Sequence, residues 1–159
     1  MVDLAVTAAS VVAGANAVRF TGLAGEVITA GKAVYLDPAS RRVLLADSNA
    51  ETVAARATLG IALNGAGSGQ PIFVHKSGEL TIGATLVPGA AYFLSDTPGG
   101  ICPRADLDVD ETICLIGLAR SAAILDVGIQ ILSVAAGVSG HLNFSEPINS
   151  GYIALFGDF

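Results

Sequence analysis

Charge is the scarcest commodity in this chain. Only 14% of its 159 residues are Asp, Glu, Lys or Arg, against about 25% in an ordinary globular domain. Eight are cationic and, apart from Arg41-Arg42, they are scattered, while fourteen acids set the net charge at −6. A nucleic-acid groove needs clustered cations to replace counterions on phosphates, so nucleic acid is not an expected partner. Long apolar runs are also missing. Hydrophobic residues make up 52% of the chain, yet Gly, Asp, Asn and Pro cut every run well before the 18 or so residues that a spanning helix requires. The start, Met1-Val2-Asp3-Leu4, lacks the basic stretch and apolar core of a secretory leader. A soluble protein made in the cytosol, with no membrane partner, is expected. So little charge cannot cover the surface of a monomer in the usual way. The remainder must be small residues, or be covered by partners.

Two cysteines, Cys102 and Cys114, are too few for a disulfide scaffold. Their apolar neighbours suggest half-buried strand residues, with a cross-strand disulfide as the alternative and a catalytic thiol disfavoured for want of nearby cations. Of the two histidines, His75 falls at a strand end before Ser77-Gly78, and His141 lies in the Gly-rich start of the C-terminal tail. Both read as exposed or hydrogen-bonded residues. Neither has zinc-ligand spacing. Gly67-Ser68-Gly69 lies between two strand patterns, so it is neither a nucleophile elbow nor, with Gln70-Pro71 following, a phosphate loop opening a helix. The acidic run Asp106, Asp108, Asp110, Glu111 begins like a calcium loop. Counted from Asp106, however, Glu111 stands where glycine is needed and Gly117 where glutamate is needed. A solvated acidic loop is the expectation, with an irregular calcium site as the alternative. No catalytic residue, cofactor or metal is assigned, and the chain is expected not to be an enzyme.

What the sequence does contain is short β patterning. Segments rich in Val, Ile, Leu, Thr and Tyr alternate with Gly and Pro. They predict strands at 17–21, 33–36, 43–46, 58–63, 72–75, 79–82, 91–94, 113–119 and 123–132. Turns are predicted at Asp37-Pro38, Asn64-Gly65, Ser77-Gly78, Pro88-Gly89 and 97–100. One helix is a candidate, over 47–57, with Ser48 and Glu51 spaced as a capping box.

The words of the chain also repeat. Gly31-Lys32-Ala33-Val34-Tyr35-Leu36-Asp37 echoes Gly89-Ala90-Ala91-Tyr92-Phe93-Leu94-Ser95 at an offset of 58. Leu59-Gly60-Ile61-Ala62 echoes Ile116-Gly117-Leu118-Ala119 at an offset of 57, and Gly25-Glu26 rhymes with Gly78-Glu79. Two copies of one β unit, about 24–63 and 78–119, predict an all-β core over 17–134: a compact β-barrel or β-sandwich, clip-like, with few free edges. An N-terminal arm (1–16) and a C-terminal aromatic tail (135–159) flank it, both expected to be extended. The tail carries Phe144, Tyr152, Phe156 and Phe159, unusual for a disordered tail. It either folds back or docks on a neighbour. The candidate interface residues are therefore Leu4, Val6, Val11 and Val12 of the arm with Phe144, Tyr152, Phe156 and Phe159 of the tail.

The phrases Ala24-Gly25-Glu26-Val27-Ile28-Thr29-Ala30-Gly31 and Ala91-Tyr92-Phe93-Leu94-Ser95-Asp96-Thr97-Pro98-Gly99-Gly100-Ile101 resemble the head decoration, or capsid cement, proteins of tailed bacteriophages. The likeness spans roughly residues 20–132. It implies a β-rich barrel or clip-like fold on the outer capsid surface of a virion, commonly as a homotrimer, gripping the major capsid protein through a terminal arm and reinforcing the shell. Similar phrasing occurs in phage tail and fibre-associated proteins. A receptor-binding role and a trimeric β-fold enzyme are the other two readings.

Overall fold

A computed structural model describes residues 2–133. The protein is all-β, and no α-helix occurs among the described residues. In chain order the strands are β1 (Val12–Ala13), β2 (Val18–Leu23), β3 (Ala33–Leu36), β4 (Val43–Leu45), β5 (Gly60–Ala62), β6 (Pro71–Thr81), β7 (Ala91–Leu94), β8 (Ile101–Pro103), β9 (Ile113–Ala119) and β10 (Ile124–Ser133). They form one antiparallel sheet, ordered β4-β3-β5-β6-β10-β9-β7-β8, with β1 and β2 also paired to β6. The sheet curls on itself as a half-barrel.

That order is the same connectivity written twice. In unit one, β2 pairs with the first half of β6, β6 with β5, β5 with β3, and β3 with β4. In unit two, the second half of β6 pairs with β10, β10 with β9, β9 with β7, and β7 with β8. Strand β6 is thus the last strand of one unit and the first of the next. The registers coincide as well. Ala33 faces Ile61 and Val34 faces Gly60, as Ala91 faces Leu118 and Tyr92 faces Gly117. The amide of Gly31 donates to the Ala62 carbonyl at 2.8 Å, and that of Gly89 to the Ala119 carbonyl at 2.7 Å. A Cβ on Gly60 would strike the His75 carbonyl, and one on Gly117 the Asp126 carbonyl. Each unit therefore has a glycine where the neighbouring backbone leaves no room for a side chain.

Two cores follow from this layout. The inside of unit one holds Ala24, Ile28, Val34, Val43, Ala62, Ile72 and Val74. The second core is filled from unit two by Leu80, Ile82, Tyr92, Leu94, Ile116 and Leu125, and receives Ala33, Tyr35, Ala46 and Ile61 from unit one's outer face. Strand β3 is consequently buried on both faces, which is why it reads Ala-Val-Tyr-Leu rather than alternating with polar residues.

Several expectations need amending. The Ser77-Gly78 turn is no turn: β6 runs straight through it, and Gly78, at φ +97°, makes a kink over which the Asn16 carbonyl packs. Gly78-Glu79 therefore lies within a strand, whereas Gly25-Glu26 follows β2, so that rhyme joins non-equivalent positions. The helix expected over 47–57 shrinks to a 3-10 turn, Val53–Arg56. Its cap position is Thr52, without a side-chain cap bond, and Ser48 stands four residues earlier, its amide donating to the Ser95 carbonyl and its carbonyl accepting from Thr112, both at 3.0 Å. The 1–16 segment does not extend from the body. The Leu4 amide donates to Ile101 on β8 at 2.8 Å and the Thr7 amide to Gly83 at 2.7 Å, and β1 pairs with β6. In unit one the matching carbonyl, Val43, accepts from Gly25 at 2.8 Å. The N-terminal segment supplies to unit two a backbone partner that unit one finds within itself.

Candidate functional site

The two units differ most on their outer faces. In unit one the β5 residue Ile61 is fully buried, because unit two packs over it. At the same register in unit two stands Leu118 on β9, which is 52% exposed. His75, opposite Ile61, is likewise fully buried, while Asp126, opposite Leu118, is exposed. Around Leu118 the surface forms a concavity of about 350 Å³ lined by Leu115, Gly117, Val127, Gly128 and Gln130, with the carboxylate residue Asp126 also in its wall. A Cβ added at Gly128 would meet only open space. A second apolar patch lies across β2 and β6, where Leu23 faces Pro71 and Thr21 faces Phe73. Leu23 and Phe73 are each 45% exposed. Isolated apolar side chains on a surface are ordinary; grouped ones on charge-poor strands suit a partner.

Leu4 and Val6 are partly buried against the second core, and Val11 belongs to it. Val6 and Val11 lie over Gly31, so the segment touches both units. Val12, the next residue and the first of β1, is 58% exposed. Phe144, Tyr152, Phe156 and Phe159, together with His141, lie outside the described residues. Sequence reasoning missed Leu118. The signal was available in the aligned words Gly60-Ile61-Ala62 and Gly117-Leu118-Ala119, but the repeat does not say which copy is covered.

Both cysteines are free and buried. The Cys114 Sγ faces the Thr58 hydroxyl at 3.6 Å. Burial, reinforced by the charges of Glu111, Asp3, Asp106 and Asp96, pushes the Cys102 thiol up to about 12, which leaves it protonated and unreactive. His75 is buried rather than exposed. Its Nε2 lies 2.9 Å from the Gly78 carbonyl and so carries the proton, while its Nδ1 has no protein partner among the described residues. Burial lowers its pKa, with the nearby Arg19 acting in the same direction.

The acidic run does not act as a run. Asp106 accepts a hydrogen bond from the Val2 amide at 3.2 Å, and Asp110 is exposed. Asp108 and Glu111 instead meet Asp96, from the loop after β7, with carboxylate oxygens of all three within 4.8 Å of one another. Glu111 is 4% exposed. Its Oε2 accepts from the Asp108 amide at 2.9 Å, and its Oε1 has no hydrogen-bond partner among the described residues. Burial is the main cause that raises its pKa, and the charges of Asp96 and Asp108 add to it. Burial also raises that of Asp47, with Asp96 contributing.

No protein-family model matches the chain, and no curated protein matches its sequence. No helix among the described residues is long and apolar enough to cross a membrane.

Proposed function

We propose that this protein is a non-enzymatic shell module that decorates and reinforces a viral capsid, binding the major capsid protein and further copies of itself. The observation that carries the reading is the pair Ile61 and Leu118. One unit's outer face is buried by the other unit of the same chain, and the second unit's equivalent face is open. A surface whose counterpart is already covered by a β unit of this type is a natural seat for a β unit of another copy. A head-to-tail contact of this kind closes into a ring when the rotation allows, in keeping with the trimer implied by the resemblance to cement proteins. The scarcity of charge supports the same reading, since interface centres are depleted of Lys, Glu and Asp. Cementing asks for no bond making, only a rigid body that buries area on two shell subunits at once. Standard interfaces remove about 1,600 Å² in total, and several around one ring add avidity.

Co-sedimentation with mature, undecorated shells and with unexpanded procapsids tests this. Saturable binding to mature shells, weakened by Leu118→Asp, is the expected result. Binding to neither shell, or to host cells instead, rejects it in favour of a receptor-binding role.

A further inference from the structure

We infer that Asp96, Asp108 and Glu111 form a calcium site that staples the junction between the two units. First, three carboxylates converge within 4.8 Å, and none has a cationic partner: the one ion pair among the described residues joins Arg120 to Glu79 on another part of the sheet. Three like charges this close, one of them removed from water, are costly unless a counter-charge joins them. Second, polar atoms point inward without protein partners. Glu111 is 4% exposed with Oε1 unbonded. Ser48 is fully buried, and its hydroxyl lies beside the Glu111 carboxyl, close enough to favour the charged form without a hydrogen bond of normal geometry. Third, the groups come from three segments that the fold locks together. Ser48 bridges the loops, donating its amide to Ser95 and accepting from Thr112. An ion here would tie the loop after β4 in unit one to two loops of unit two.

The donor set selects the metal. All four groups offer oxygen, and the neighbouring thiol of Cys102 stays protonated, so zinc and copper lack their preferred ligands. Magnesium demands a near-ideal octahedron and rarely takes three carboxylates. Calcium accepts six to eight oxygens in irregular geometry, including bidentate carboxylates. Calcium departs from the metal-free loop expected from sequence because Asp96 is far from the run and only the fold brings it in.

The test uses the full chain stripped with EDTA, then titrated with calcium chloride by calorimetry and by thermal unfolding. One calcium per chain is expected. Tm should rise by about 5–10 °C at calcium 100-fold above Kd. Glu111→Gln should weaken binding at least about tenfold and remove most of the shift, yet melt no lower than wild type in EDTA, since a repelling charge has gone. Asp110→Asn, an exposed neighbour outside the cluster, should behave as wild type. No calcium-dependent rise in wild type, or an equal rise in Glu111→Gln, overturns the site. Shell binding does not enter either readout, so the site and the cement role stand or fall separately.

Discussion

Unit one and unit two share strand order, register and the glycine at which two strands nearly touch, yet they face different surroundings. Ile61 and Leu118 occupy one position in the unit; one is sealed in a core and the other half in water. The loops diverge too. After β3, unit one turns tightly through Asp37 and Ser40, whose amide and hydroxyl both bond the Asp37 carboxylate. After β7, unit two places Asp96 in a cluster of three carboxylates. The shared features are those that backbone pairing requires. The differing ones are those that meet something else, and that is where function is to be sought.

The comparison can be broken most sharply at its central pair. Ile61→Ala should cost about 2–5 kcal/mol, the range for truncating a sealed aliphatic side chain, whereas Leu118→Ala should lie within about 0.5 kcal/mol of wild type. Urea denaturation of both variants measures the difference; equal losses would mean that the two faces are equally covered. Next in size, Gly60→Ala and Gly117→Ala should each destabilise by about 1–3 kcal/mol, and by similar amounts, because each added methyl meets a partner-strand carbonyl. A large inequality between them would contradict the equivalence of the units.

The smallest effect is in pH. Glu111 has its carboxyl raised above the ordinary value of 4.5, mainly by burial, with Asp96 and Asp108 facing it and Ser48 and the Asp108 amide opposing. The folded chain therefore holds this proton more tightly than the unfolded chain does. The associated stability is complete below 4.5 and is lost as pH rises through the folded value. In EDTA, wild type should lose Tm relative to Glu111→Gln as pH is raised from 4 to 7, and saturating calcium at pH 7 should reverse the order. A Tm difference independent of pH would contradict the buried, charge-crowded environment of Glu111.

Much of this was legible in the sequence. Strands β3 and β7 fall where a glycine turn precedes a Val- or Tyr-bearing word, and β9 where an apolar Ile- and Leu-rich word follows an acidic loop, all three with the predicted limits. The echo of Gly31–Asp37 by Gly89–Ser95 already implied two like units. Other parts were hidden for physical reasons. Strand β1 is two residues long, too short for a period to register, and β8, Ile101–Pro103, ends on a proline that speaks against a strand. Ser77-Gly78 has turn chemistry, but the same positive φ serves a kink inside a strand. Ser48 and Glu51 had the spacing of a capping box, but Thr52 and Val53 weaken a helix, and the backbone of Ser48 is committed to the β7–β8 and β9 loops instead. The acidic cluster depends on Asp96 and Asp108, twelve residues apart and joined only by the fold.

The most direct test of the central claim is sedimentation equilibrium of the full chain over a wide concentration range, wild type against Leu118→Asp. The account predicts reversible self-association in wild type, weakened at least about tenfold by the substitution, since a second carboxylate placed opposite Asp126 and covered by a partner costs well over 1.4 kcal/mol, with Tm at low concentration unchanged. Identical sedimentation of the two proteins would contradict it.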